Sequence, residues 1–132
     1  VGSWRLHCLT YLREPVSLQG EAHFAWTLAG RAMQDLWIMP GHMYGTTLRM
    51  WDSTIGAWRI SWKNPLRPHF EEQIGRRVGG EIVQIGTRAN GAVARWRFTD
   101  IDPDSFHWLG EVLNPDGQTW TLEGEFLATR AG

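Results

Sequence analysis

The chain has a single cysteine, Cys8. It can therefore form no intrachain disulfide and no cysteine-built zinc site. It lacks an excess of either charge. Thirteen Lys and Arg against 14 Asp and Glu leave a formal −1, whereas a nucleic-acid binder normally carries a basic stripe. No apolar run approaches the ~18 residues that would mark a membrane-spanning helix. No helical period lasts beyond a turn or two. The chain also has no Gly-x-Ser-x-Gly elbow, no phosphate-binding glycine loop and no His-x-x-x-His metal spacing. No secretory leader is visible, and Gly2-Ser3-Trp4 reads as the start of a strand. From these absences we expect a cytoplasmic, single-domain protein with no metal, cofactor, nucleic-acid or membrane partner. A homodimer is left open.

What is present instead is tryptophan, nine in 132 residues, together with 15 glycines. A small domain this rich in indole either packs large rings in a β core or lines an aromatic pocket. Alternation of period two predicts strands at 3–12, 19–29, 32–39, 43–51, 57–63, 70–78, 81–88, 92–99, 105–113 and 118–129. Turn chemistry suggests a register for each hairpin. A two-residue turn at Gly30-Arg31 pairs Ala29 with Ala32 and sets Asp35 opposite Trp26. Asn90-Gly91 pairs Ile85 with Trp96. The turn Asp52–Gly56 sets Met50 against Trp58, Asn114–Gly117 sets Val112 against Trp120, and Asp100–Asp104 sets Trp96 against Trp108.

These registers collect eight of the nine Trp on one face, all but Trp51, together with Leu48, Leu122, Val83 and Ile85. The opposite face receives Arg49, Gln84, Arg97, His107, Glu123 and Glu125. The expected fold is all-β: an antiparallel up-and-down barrel of about ten strands, closed because closure removes exposed edges. A barrel wider than the roughly eight strands whose side chains just fill the interior should keep a cavity. At most a short helical turn is expected, at 13–19 or 64–70.

Gly2-Ser3-Trp4 resembles the Gly-x-Trp signature of lipocalin-like (calycin) barrels. That resemblance implies that Trp4 closes the barrel floor and that Arg130 packs on it. Tyr44–Asp52 followed by Gly56-Ala57-Trp58, and Asn114–Trp120 leading to Glu125-Phe126, resemble a bacterial domain family of unknown function with a lipocalin-like barrel. The haem-binding nitrobindin barrels are structural cousins whose ligand is an inward His on a late strand. His107 lies on a late strand here, but the register turns it outward beside Arg97 and Glu125, which argues against haem.

Asp35 alternates with Met33, Trp37 and Met39 and is expected inside, where an unpaired carboxylate is costly and suited to proton transfer. Tyr44 is a candidate partner. Glu72 and Arg76 share the parity of Ile74: turned inward they form a pair able to orient a substrate, turned outward a surface ladder, and Gly75, Gly79 and Gly80 leave that register open. His42 and His69 sit in connections at the same barrel end and are candidates for its mouth. Trp26, Trp37, Met39, Trp58, Trp62, Trp96 and Trp108 form the candidate ligand wall. The first expectation is therefore a binding barrel for a small hydrophobic or aromatic molecule. The alternative is a cofactor-free cyclase, isomerase or lyase using Asp35, Tyr44, Glu72 and Arg76. The third is a haem protein using His42, His69 or His107.

Overall fold

In the computed structural model, which describes residues 1–66 and 69–131, ten strands follow one another in order. They are β1 (Gly2–Tyr11), β2 (Glu14–Thr27), β3 (Ala32–Met39), β4 (Met43–Asp52), β5 (Ala57–Asn64), β6 (His69–Val78), β7 (Glu81–Thr87), β8 (Val93–Asp102), β9 (Ser105–Leu113) and β10 (Trp120–Arg130). Each strand pairs antiparallel with its sequence neighbours, and β10 returns to β1, so the sheet is a closed barrel. The helical turn expected at 13–19 is instead strand: Pro15 pairs with Thr10 where the β1 register shifts, and a bulge is a place where a sheet tolerates Pro. The segment 64–70 lies partly outside the described residues. No described helix is long and apolar enough to cross a membrane.

Near the end that carries the chain termini, Trp4 is buried inside the barrel, beneath its apolar core. Its ring meets Phe106 edge-on at 4.9 Å, and the Arg130 guanidinium lies over it at 4.4 Å. Arg130 also donates to the carbonyls of Pro103 and Val1, which ties the last strand to the chain start. Above Trp4, the residues Leu6, Cys8, Ala22, Trp37, Phe98 and Phe126 are buried together.

Turn lengths decide which residues enter the lumen, because a one-residue slip moves every side chain to the other face. Between β4 and β5 the ladder closes at Asp52 and Ala57, one residue tighter than expected. Asp52 keeps its backbone in the ladder while its carboxylate accepts the Thr54 N–H and hydroxyl, as Asp does at turns. That turns Arg49 inward and Leu48 away from the lumen. Between β7 and β8 the loop is a three-residue one. Arg88 donates to the Ala92 carbonyl, Gly91 takes a left-handed φ of 88°, and Asn90 accepts the Ala92 N–H. This is the turn-plus-bulge hairpin rather than the two-residue one, so Gln84 points in and Ile85 points out. Between β9 and β10, Trp120 pairs with Leu113 rather than Val112. Trp120 therefore faces outward, where Arg95 stacks on it at 4.0 Å, and Leu122 follows it. A bulge between Leu122 and Gly124 then restores Phe126 to the inside.

Two registers move by two residues and keep their faces. Thr27 pairs with Ala32, because the turn takes four residues with Leu28, Ala29 and Gly30 all at positive φ. Asp35 is consequently opposite Phe24, not Trp26. Trp96 pairs with Gly110 and Phe98 with Trp108. Trp51 continues the inward parity of β4 at the rim, where its ring meets Trp58 at 5.5 Å.

Large rings fit because small residues sit opposite them. A Cβ on Gly45 would overlap the buried Trp62 ring. Gly45→Ala should therefore cost ~1–3 kcal/mol through overpacking, read as a lower urea midpoint with an unchanged m-value.

Candidate functional site

The lumen is crossed by a chain of polar side chains. Asp35 is fully buried. Its Oδ1 accepts the Thr47 N–H at 3.0 Å and its Oδ2 accepts Arg49 Nη1 at 2.5 Å. Arg49 Nε and Nη2 both donate to Gln84 Oε1, at 3.1 and 3.0 Å. Gln84 Nε2 donates to Gln73 Oε1, and Gln73 Nε2 to Glu71 Oε1. Arg88 then bridges Glu71 and Glu123, and Arg13 donates to Glu123 from the rim. Buried polar groups persist in pairs such as these because an unpartnered one costs its full desolvation.

Arg49 divides the interior. A cavity of about 450 Å³ opens at the end that carries the 12–13, 40–42 and 88–92 connections. A second, of about 420 Å³, opens at the end that carries the chain termini. Arg49 is the one residue that lines both, and its guanidinium rests 5.7 Å from the Phe98 ring centre.

The first cavity has an indole wall. Trp37 meets Trp108 at 5.8 Å, Trp108 meets Trp96 at 5.5 Å, and Trp96 meets Trp62 at 5.7 Å. Its polar edge is Thr47, Asn64, Arg88 and Glu123. The fold thus brings four of the expected wall residues together. Trp26 and Trp58 line the second cavity instead, because they lie at the opposite ends of their strands. Met39 lines neither and is core, 1% exposed.

The expected catalytic group is not assembled. Asp35 is inside, but both its oxygens are bonded and it lines neither cavity. Tyr44 has the outward parity of β4, is exposed, and its hydroxyl accepts the Gly41 N–H. Glu72 and Arg76 are outside as well. Ile60 points in and pairs with Gln73, which fixes Glu71, Gln73 and Gly75 as the inward residues of β6. Glu72 instead takes the Ser61 hydroxyl on the outer face. His42 is an exposed turn residue whose carbonyl accepts the Tyr11 hydroxyl. The His69 backbone opens β6, and its side chain lies outside the described residues. His107 faces outward on Glu125 at 2.6 Å. Arg97, expected beside it, pairs with Leu109 and bonds Glu111 instead. Among the described residues no group of three or more His, Cys, Asp and Glu is arranged to hold a metal.

Sequence reasoning missed Arg49, Glu71, Gln73, Gln84, Arg88 and Glu123. The one local signal was Asn90-Gly91, which serves a three-residue loop as well as a two-residue one. Burial would raise the Glu123 carboxyl, but the bonds and charges of Arg88 and Arg13 outweigh it and hold the group below the usual range. For Arg88 burial acts the other way, and its bonds to Glu123 and Glu71 keep it firmly cationic. Burial pushes the Cys8 thiol up to about 11, so it is no thiolate nucleophile at neutral pH.

No protein-family model matches the chain, and no match was found among the curated proteins compared with it.

Two outcomes follow from the polar chain. Asp35→Asn leaves Arg49 buried without its counter-charge and should cost about 3–5 kcal/mol, with much of it recovered when Arg49→Met is added; urea melts of both variants check this. Glu123 is held low in the folded state, so its stabilisation is present above the ordinary carboxylate value of 4.5 and lost as pH falls through the lower folded value. Glu123→Gln should therefore flatten the acid limb of the stability-against-pH curve relative to the wild type.

Proposed function

We infer that the protein is a lipocalin-like binding barrel whose first cavity takes a small, flat, largely aromatic molecule carrying one hydrogen-bond acceptor. The observation that carries this reading is the meeting of the four-indole wall with Arg88. The other Arg88 nitrogens are held by Glu71 and Glu123, while its buried Nε–H has no partner. That Nε is out of reach of water and so of a guest, and the cationic groups an acceptor meets at this mouth are Arg13 and the partly exposed face of Arg88. The cavity volume falls in the range of small-molecule sites. Indole faces favour flat apolar guests through offset and edge-on contacts.

The lipocalin-like kinship rests on Gly2-Ser3-Trp4 and on Arg130 stacked over Trp4. The segments Tyr44–Trp58 and Asn114–Phe126 carry the likeness to the bacterial domain family of unknown function. The cyclase, isomerase or lyase reading has less support. Asp35 has no free oxygen and no exposure to either cavity, so acid–base chemistry on a bound molecule has no starting geometry. The haem reading is likewise weak, since His107 faces outward on Glu125 and His42 is an exposed turn residue whose ring meets Tyr11.

The test uses the naphthyl ketone prodan, which is flat, neutral and carries one carbonyl. Wild-type protein should bind it saturably, with a blue-shifted dye emission and energy transfer from tryptophan. Trp108→Ala should weaken the first-cavity component by roughly tenfold, because an indole face supplies much of the contact. No saturable uptake of prodan, or binding indifferent to Trp108→Ala, would overturn the reading.

A further inference from the structure

The cavity at the terminal end is built like the first one and shares only Arg49 with it. Its wall is apolar and aromatic: Trp4, Phe24, Trp58, Ile60, Phe98 and Phe106. At about 420 Å³ it is nearly as large as the first. Two buried side-chain polar atoms among the described residues lack a hydrogen-bond partner, and one belongs to the lining of each cavity. They are Arg88 Nε in the first and Trp4 Nε1 in the second. Both atoms are out of reach of water, so neither is offered to a guest. The partition between the cavities is bonded through: Arg49 gives all three of its donor nitrogens to Asp35 and Gln84. A guest in one cavity therefore meets a formed wall, not an opening into the other.

We propose that the barrel holds two ligand sites back to back, and that the terminal-end cavity is a second site for a flat, neutral aromatic or alicyclic molecule held by its apolar wall. Charge adds little here, the lining carboxylate Asp102 being exposed at the end of β8. Arg49 is neutralised by Asp35, and Arg130 is engaged with Pro103, Val1 and the Trp4 ring. The site therefore selects a neutral guest by shape. The proposal stands apart from the first-cavity reading, since either cavity can be filled while the other is empty.

Binding stoichiometry of prodan, by native mass spectrometry and equilibrium dialysis, tests it. Wild type should take up two equivalents. Met33→Trp places an extra ring in the terminal-end lining and should leave one. Ile82→Arg, at an exposed lining position of the same cavity, should act likewise and covers the case in which the first variant folds poorly. One equivalent unaffected by Met33→Trp and Ile82→Arg overturns the second site, as do two equivalents unaffected by both. One equivalent lost in Met33→Trp but indifferent to Trp108→Ala overturns the first-cavity reading and keeps this one. No uptake at all overturns both.

Discussion

Arg49 is the cross-brace on which the interior depends. It starts on β4 and spends its guanidinium on Asp35 of β3 and Gln84 of β7, with the Phe98 ring close by. A barrel of ten strands is wider than the roughly eight whose side chains just fill the interior. A long, rigid, many-donor side chain spans part of that width and fixes which groups face it. The cost is the burial of two charges, and it is tolerable only because each has its partners in place. Remove either end of the bond and the other is stranded.

From that brace the polar chain runs on through Gln73 and Glu71 to Arg88 and Glu123, joining β7, β6 and β10. It does two things at once. It ties strands that are not neighbours in the sheet, and it separates two aromatic chambers. Such networks specify an interior sharply when every member is satisfied. Among the described residues two buried donors lack a partner, Arg88 Nε within the polar chain and Trp4 Nε1 outside it.

The outer face follows simpler rules. Arg95 and Arg97 share Glu111, and Arg97 also reaches Glu81. Those bonds hold the Glu111 carboxyl below its usual range against the opposing effect of burial. His107 and Glu125 form a further pair on the same face. These are cross-strand partners of modest individual worth, and their role is to give an antiparallel barrel a charged exterior.

The ten strands, their order and the closed barrel were legible in the sequence, because alternation and turn residues act locally. The same local reading placed Asp35 inside and His107 outside, and it gathered Trp37, Trp62, Trp96 and Trp108 at one wall. Which parity of β4, β6 and β7 faces inward was decided only in the tertiary structure. At Asp52 and at Asn90-Gly91 the turn chemistry suits loops that differ by one residue, and that one residue exchanges the two faces of a strand. Hydrophobicity then misleads, since it favours Leu48, Ile74 and Ile85 over Arg49, Gln73 and Gln84. The polar residues enter because each finds a partner in the lumen: Gln73 bonds Gln84 on the adjoining strand, and Gln84 bonds Arg49, 35 residues away, a contact that only the closed barrel brings within hydrogen-bonding distance.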